Sequence, residues 1–151
     1  MCSDSGVTEL RTSETKLEFP YTRTVGPIVG AFLTGLRDGK LLGTRNRDGR
    51  VLFPAVEYDP ETGEALTETV EVGPEGTVDG WTWVAHPTPK HPLDRPFAFA
   101  LIRPDGADTA MVHAVDAGDE ATMSTGMRVA PRFRQEAKGI VTDLEAWEPV
   151  R

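Results

Sequence analysis

Two tight turns, facing each other across a short apolar run, constrain this chain more than any other stretch. They lie between Leu41 and Leu66, in LLGTRNRDGRVLFPAVEYDPETGEAL. The first turn is Asn46-Arg47-Asp48-Gly49 and the second is Asp59-Pro60-Glu61-Thr62-Gly63, with Val51-Leu52-Phe53-Pro54 between them. Gly after Asp, and Gly three residues after Pro, supply the dihedrals that reverse a chain within a few residues. Two such knuckles are the skeleton of a small metal ribbon. In that ribbon each knuckle carries a C-x-x-C pair, because structural zinc takes four ligands in a tetrahedron. Here the corresponding places hold Asn46, Asp48 or Gly49, Asp59 and Thr62. The expectation is a ribbon that keeps its turns and carries no zinc.

Cysteine usage points the same way. The single cysteine, Cys2, lies in a polar leader, which excludes an internal disulfide framework and any cysteine-built zinc site. A chain of 151 residues buries about two-thirds of its unfolded surface, so its core needs neither staple. The 24 acidic against 16 basic residues give a net charge of −8. That balance repels nucleic acid and anionic membranes unless a local basic patch overrides it. No apolar run long enough to cross a membrane and no signal-like segment is present, so a cytoplasmic protein with neither partner is expected.

The chain divides by period. Residues 1–20, rich in Ser, Thr and Glu, read as a disordered leader or linker remnant. Residues 21–65 form a helix plus a degenerate zinc-ribbon-like unit. Within it Pro27 opens the helix, Ile28, Val29, Phe32, Leu33 and Leu36 recur at helical spacing, and Gly39 stops it. From 66 to 151 the period becomes two. Strands are expected at Leu66–Val72, Thr77–Val84, Phe97–Ile102, Thr109–Val115, Met127–Phe133 and Ile140–Trp147, with a long loop from His86 to Arg95. About five or six short strands of this kind suit an OB-fold barrel. The fold class is mainly β: a helix and a metal-free ribbon-like hairpin, then an OB-fold.

Chemistry-bearing groups are sparse. His86, His91 and His113 form no metal-ligand spacing, and no nucleophile elbow or phosphate loop occurs. No catalytic residue is assigned; His113 and Asp116, three apart, are the only acid–base couple to consider. Arg128, Arg132 and Arg134 share one side of a strand. They suit either coenzyme A phosphates or the acids Asp143 and Glu145 on the next strand. Trp81 and Trp83 form a face that is either core or a protein interface, and Phe53, Pro54 and Tyr58 pose the same choice. The apolar face of the helix, Ile28, Phe32 and Leu36, can pack on its own barrel or on a partner.

The order of these elements carries a resemblance. Helix, Gly-Lys-Leu-Leu-Gly, knuckle, Arg-Val-Leu-Phe-Pro, second knuckle and barrel resemble a family of acyl-CoA-associated proteins with a rubredoxin-like ribbon and an OB-fold. Tyr58-Asp59-Pro60-Glu61-Thr62-Gly63-Glu64, Trp81-Thr82-Trp83, Pro92-Leu93-Asp94-Arg95-Pro96-Phe97 and Ser124-Thr125-Gly126-Met127-Arg128-Val129 are similar to its actinobacterial branch, across roughly Tyr21 to Pro149. That branch partners a thiolase-fold aldolase of steroid side-chain degradation. The resemblance implies a non-catalytic small subunit in a heterotetramer of two plus two, with an acyl-CoA as substrate of the complex and no cofactor. It also implies that Ile28, Phe32, Leu36, Phe53, Pro54, Tyr58, Trp81 and Trp83 are candidates for the partner interface. A hydratase as partner, or a free acyl-CoA-binding module, stays open.

Overall fold

A computed structural model describes residues 12–151. Cys2 and the start of the leader lie outside the described residues. From residue 12 to residue 26 the chain has no regular secondary structure. Helix α1 then spans Pro27–Arg37. Its N-cap, Gly26, has no side chain to satisfy the first amides. Glu57, far along the chain, does this instead, its Oε1 accepting the N–H groups of Ile28 and Val29 at 2.9 and 3.0 Å. A carboxylate there also matches the positive end of the helix dipole. A Cβ on Gly26 would stand 2.1 Å from that oxygen, so glycine is what allows the approach.

The helix covers a small antiparallel sheet made of β1 (Leu41–Arg45), β2 (Val51–Leu52) and β3 (Glu68–Val72), in the order β2-β1-β3. β3 was expected to start the barrel. It pairs instead along the whole of β1, from Leu41↔Val72 to Arg45↔Glu68. Alternation of Thr and Glu with Val identifies a half-buried strand but not its neighbour. The far edge of β2 is tied to the barrel: Asp108 accepts the Val51 N–H at 2.7 Å and Thr109 Oγ1 accepts the Phe53 N–H at 2.7 Å.

The barrel consists of β4 (Gly76–Val84), β5 (Phe97–Pro104), β6 (Met111–Val115), β7 (Arg128–Phe133) and β8 (Leu144–Pro149). It closes in the order β4-β5-β6-β8-β7, antiparallel except where β6 meets β8 at Val115↔Trp147. This is the expected mainly β architecture with one short N-terminal helix. A single buried cluster runs from Phe32 and Leu36 through Leu41 and Phe53 to Val78, Ile102 and Trp147, so ribbon and barrel share one core. A second, smaller cluster forms where the β4–β5 loop lays Leu93 over Phe97, Ala114 and Ala146.

Candidate functional site

The two knuckles meet. Gly49 and Gly63 adopt φ of +84° and +73°, which closes each turn. Across the gap Asn46 Nδ2 donates to Asp59 Oδ2 at 2.9 Å, with both residues buried. Each partner also braces its own turn. Asn46 Oδ1 accepts from the amides of Asp48 and Arg50, and Asp59 Oδ1 from those of Glu61 and Thr62. The Glu61 amide, then Asn46, hold the Asp59 carboxyl below its ordinary range. These are the first positions of the two would-be C-x-x-C pairs, and a hydrogen bond joins them. Among the described residues, no three His, Cys, Asp or Glu stand close enough to hold a metal ion.

The interface candidates separate sharply. Ile28, Phe32, Leu36 and Phe53 are buried inside the chain itself, Leu36 completely. Phe32 and Phe53 meet edge to face with centroids 6.1 Å apart. These four are therefore core, a correction to their assignment as partner contacts; the sheet β2-β1-β3 supplies the apolar cover that the sequence left unassigned. Pro54 is half-buried and only Tyr58, 64% exposed, stands free.

Trp81 and Trp83 are half-buried and pack against the main core. Strict alternation would set them opposite Val78. A β-bulge between Val78 and Gly80 inserts Asp79 and shifts the phase, so Trp81 pairs with Ala100 and Trp83 with Ala98, both buried. Their inward face is thus shared with Val78. Trp81, with Gly80, Thr82, Phe99, Leu101 and Val112, lines a shallow apolar pocket of about 310 Å³.

Two of the three arginines in the row, Arg128 and Arg132, are engaged by acids. Arg128 binds Asp105, 2.7 Å from Nη1 to Oδ1, and Glu75 at 3.1 Å. Arg132 donates to Glu145 at 2.8 Å, to Asp116 at 3.0 Å and to Glu148. The cross-strand reading holds for Arg132 and Glu145. Asp143, the other acid weighed for that role, is fully buried and accepts instead the amides of Lys138, Gly139 and Ile140. Burial alone would raise its carboxyl; those amides outweigh it and lower it. Arg134 lines a small pocket of about 110 Å³ with His113 and Glu145.

His113 and Asp116 do not act on each other. Asp116 sits between Arg95 and Arg132; burial favours its neutral form, but the two guanidiniums prevail and keep it ionised. Burial lowers His113, and its Nδ1 has no hydrogen-bond partner among the described residues. His91 Nδ1 accepts the Thr88 amide at 2.8 Å, and the ring packs on Phe97 and Phe99, while His86 is exposed. Sequence reasoning missed the roles of Glu57 and Arg95, since both partners lie more than 20 residues away. A lone Glu after a knuckle and an Arg in a proline-rich loop carry no local signal.

Comparison with known proteins places this geometry. Residues 69–134, from β3 to the end of β7, match the family model described as ChsH2, C-terminal OB-fold domain. No curated protein matches the chain. The fold is similar to the crystal structure of a protein of unknown function from the DUF35 family of Sulfolobus solfataricus. That likeness has a TM-score of 0.57 and 23% identity, covering 70% of this chain and 78% of that one. It is also similar to a chain of the Ltp2-ChsH2(DUF35) aldolase, with a TM-score of 0.60 and 19% identity, covering 85% of this chain and 98% of that one. Residues 69–134 therefore resemble the ChsH2 C-terminal OB-fold domain, within a chain whose fold is similar to that of DUF35-family proteins.

Proposed function

We propose that this chain is the non-catalytic small subunit of a heteromeric aldolase, which binds and activates a thiolase-fold partner. The observation that carries the reading is the match of residues 69–134 to the ChsH2 domain family, supported by the fold shared with a chain of the Ltp2-ChsH2(DUF35) aldolase. The substrate of the complex is a steroid side-chain β-hydroxy acyl-CoA of cholesterol catabolism. A base on the partner takes the β-hydroxyl proton, the Cα–Cβ bond breaks, and the β-carbon becomes the ketone of a 17-ketosteroid. The electron pair passes to the thioester enolate, which is protonated to propionyl-CoA. Such a step needs a positioned base and a site for the enolate oxygen. In this chain Arg128, Arg132, Asp116 and Asp143 are already engaged with one another or with backbone amides, which supports a structural role for them.

The test is co-expression with a thiolase-fold aldolase subunit, size exclusion, and a retro-aldol assay on the steroid acyl-CoA. A stable two-plus-two complex that cleaves substrate, with this chain inert alone, is the expected result. Failure to associate, or turnover by this chain unaided, overturns the reading. Saturable binding of free coenzyme A esters by this chain alone would favour an acyl-CoA-binding module.

A further inference from the structure

The chain has 11 aromatic residues, 3 Trp, 2 Tyr and 6 Phe. Eight of them are buried or half-buried, and only Phe19, Tyr21 and Tyr58 are exposed, at 72%, 75% and 64%. Phe19 and Tyr21 belong to the segment before α1, which joins the body at Gly26, where the Glu57 carboxylate approaches. Leu17 and Val25 on the same segment are also exposed. Every residue from 12 to 25 is exposed, and among the described residues no hydrogen bond ties this stretch to the body.

Solvated linkers are poor in aromatic residues, because such side chains gain nothing from water. Here Leu17, Phe19 and Tyr21 occupy alternate positions, so in an extended chain they share one side, with Glu18 and Thr22 on the other. Extended peptides recognised by proteins use this pattern, with alternate side chains filling pockets. Exposed aromatics are also what distinguishes an interface from ordinary surface.

We infer that residues 17–25 form an apolar arm that docks onto an apolar surface of the aldolase partner, with the exposed Tyr58 ring as a second contact. The identity of that partner rests on the function proposed above. A second copy of this chain is disfavoured on two grounds. Each copy carries a net charge of −8, which opposes close approach. Pro20, between Phe19 and Tyr21, removes a backbone donor that a ladder of two identical arms would need.

The test compares the full-length chain with Leu17→Ser/Phe19→Ser/Tyr21→Ser and, separately, Tyr58→Ser, titrated against purified thiolase-fold subunit. The melting temperature should not move, since these side chains lie outside the core. The triple variant should bind about 30-fold or more weakly, as loss of interface anchors does, and Tyr58→Ser should weaken binding less. Phe19→Leu/Tyr21→Phe should restore most of the affinity. Equal binding by the triple variant and the parent sinks the arm and leaves the subunit reading intact. No binding by the parent sinks both. A parent that self-associates in light scattering, with the triple variant monomeric, assigns the arm to a second copy and overturns the proposal.

Discussion

Helix α1 and the segment just before it are contiguous and both apolar in part, yet they meet opposite fates. Ile28, Phe32 and Leu36 are covered by the chain's own sheet, while Leu17, Phe19 and Tyr21 stand in the open. The difference lies in what each pattern can meet. A helical stripe is matched by a half-buried sheet, and β1 with Phe53 offers one at the right distance. The alternating segment pairs with no strand among the described residues, and Pro20 limits its ladder. Apolar content alone therefore does not mark an interface; whether the chain itself covers it has to be read first.

The sharpest way to break this comparison is to truncate one side chain on each side of it. Phe32→Ala should destabilise the fold by about 3–5 kcal/mol, because it opens a cavity between helix and sheet. Urea denaturation would read that loss as a lowered midpoint. A midpoint near that of the parent would mean the helix does not need its cover.

Acid should expose the next layer. The Asp59, Asp116 and Asp143 carboxyls are all lowered in the folded state. The sign follows: the unfolded chain binds more protons, so their stabilisation is complete above the ordinary carboxyl range near about pH 4 and is lost as pH falls through the folded values. Asp143→Asn should lower stability at neutral pH and flatten the decline below about pH 4. A melting temperature that falls with acid as steeply as the parent's would show that Asp143 is not one of the groups responsible.

Glu57 links the two regions, capping α1 where the exposed segment enters it. Glu57→Ala should cost about 1 kcal/mol, the usual worth of an N-cap, with faster amide exchange at Ile28 and Val29 as its local signature. At the small end, Phe19→Ala should change stability by less than about 0.5 kcal/mol, as a surface substitution does. A larger loss would mean the segment packs on its own body in solution.

Much of the candidate site was legible because turns are local. Gly49 and Gly63 announce the knuckles, and Asn46 and Asp59 stand at the positions where a metal ribbon has its first cysteines. That a hydrogen bond would join those two residues was not legible, since it depends on how the two turns face. The arginine row was half legible. Register brings Glu145 to Arg132, but Asp143 turns to three backbone amides in the loop before β8. The phase of Trp81 and Trp83 was hidden entirely, because a one-residue bulge at Asp79 reverses which side a strand residue takes.

By itself the sequence determined where this chain turns, where it is helical, which segments alternate, and that cysteine could not hold a metal in the ribbon. Each of these rests on dihedral preference or periodicity within about ten residues. Only the tertiary structure decided that β3 completes the ribbon sheet, that Glu57 caps the helix, and that Phe32 and Phe53 lie in the core while Phe19 and Tyr21 do not. Those outcomes depend on which surfaces compete for burial, and apolar area carries no label of its intended neighbour.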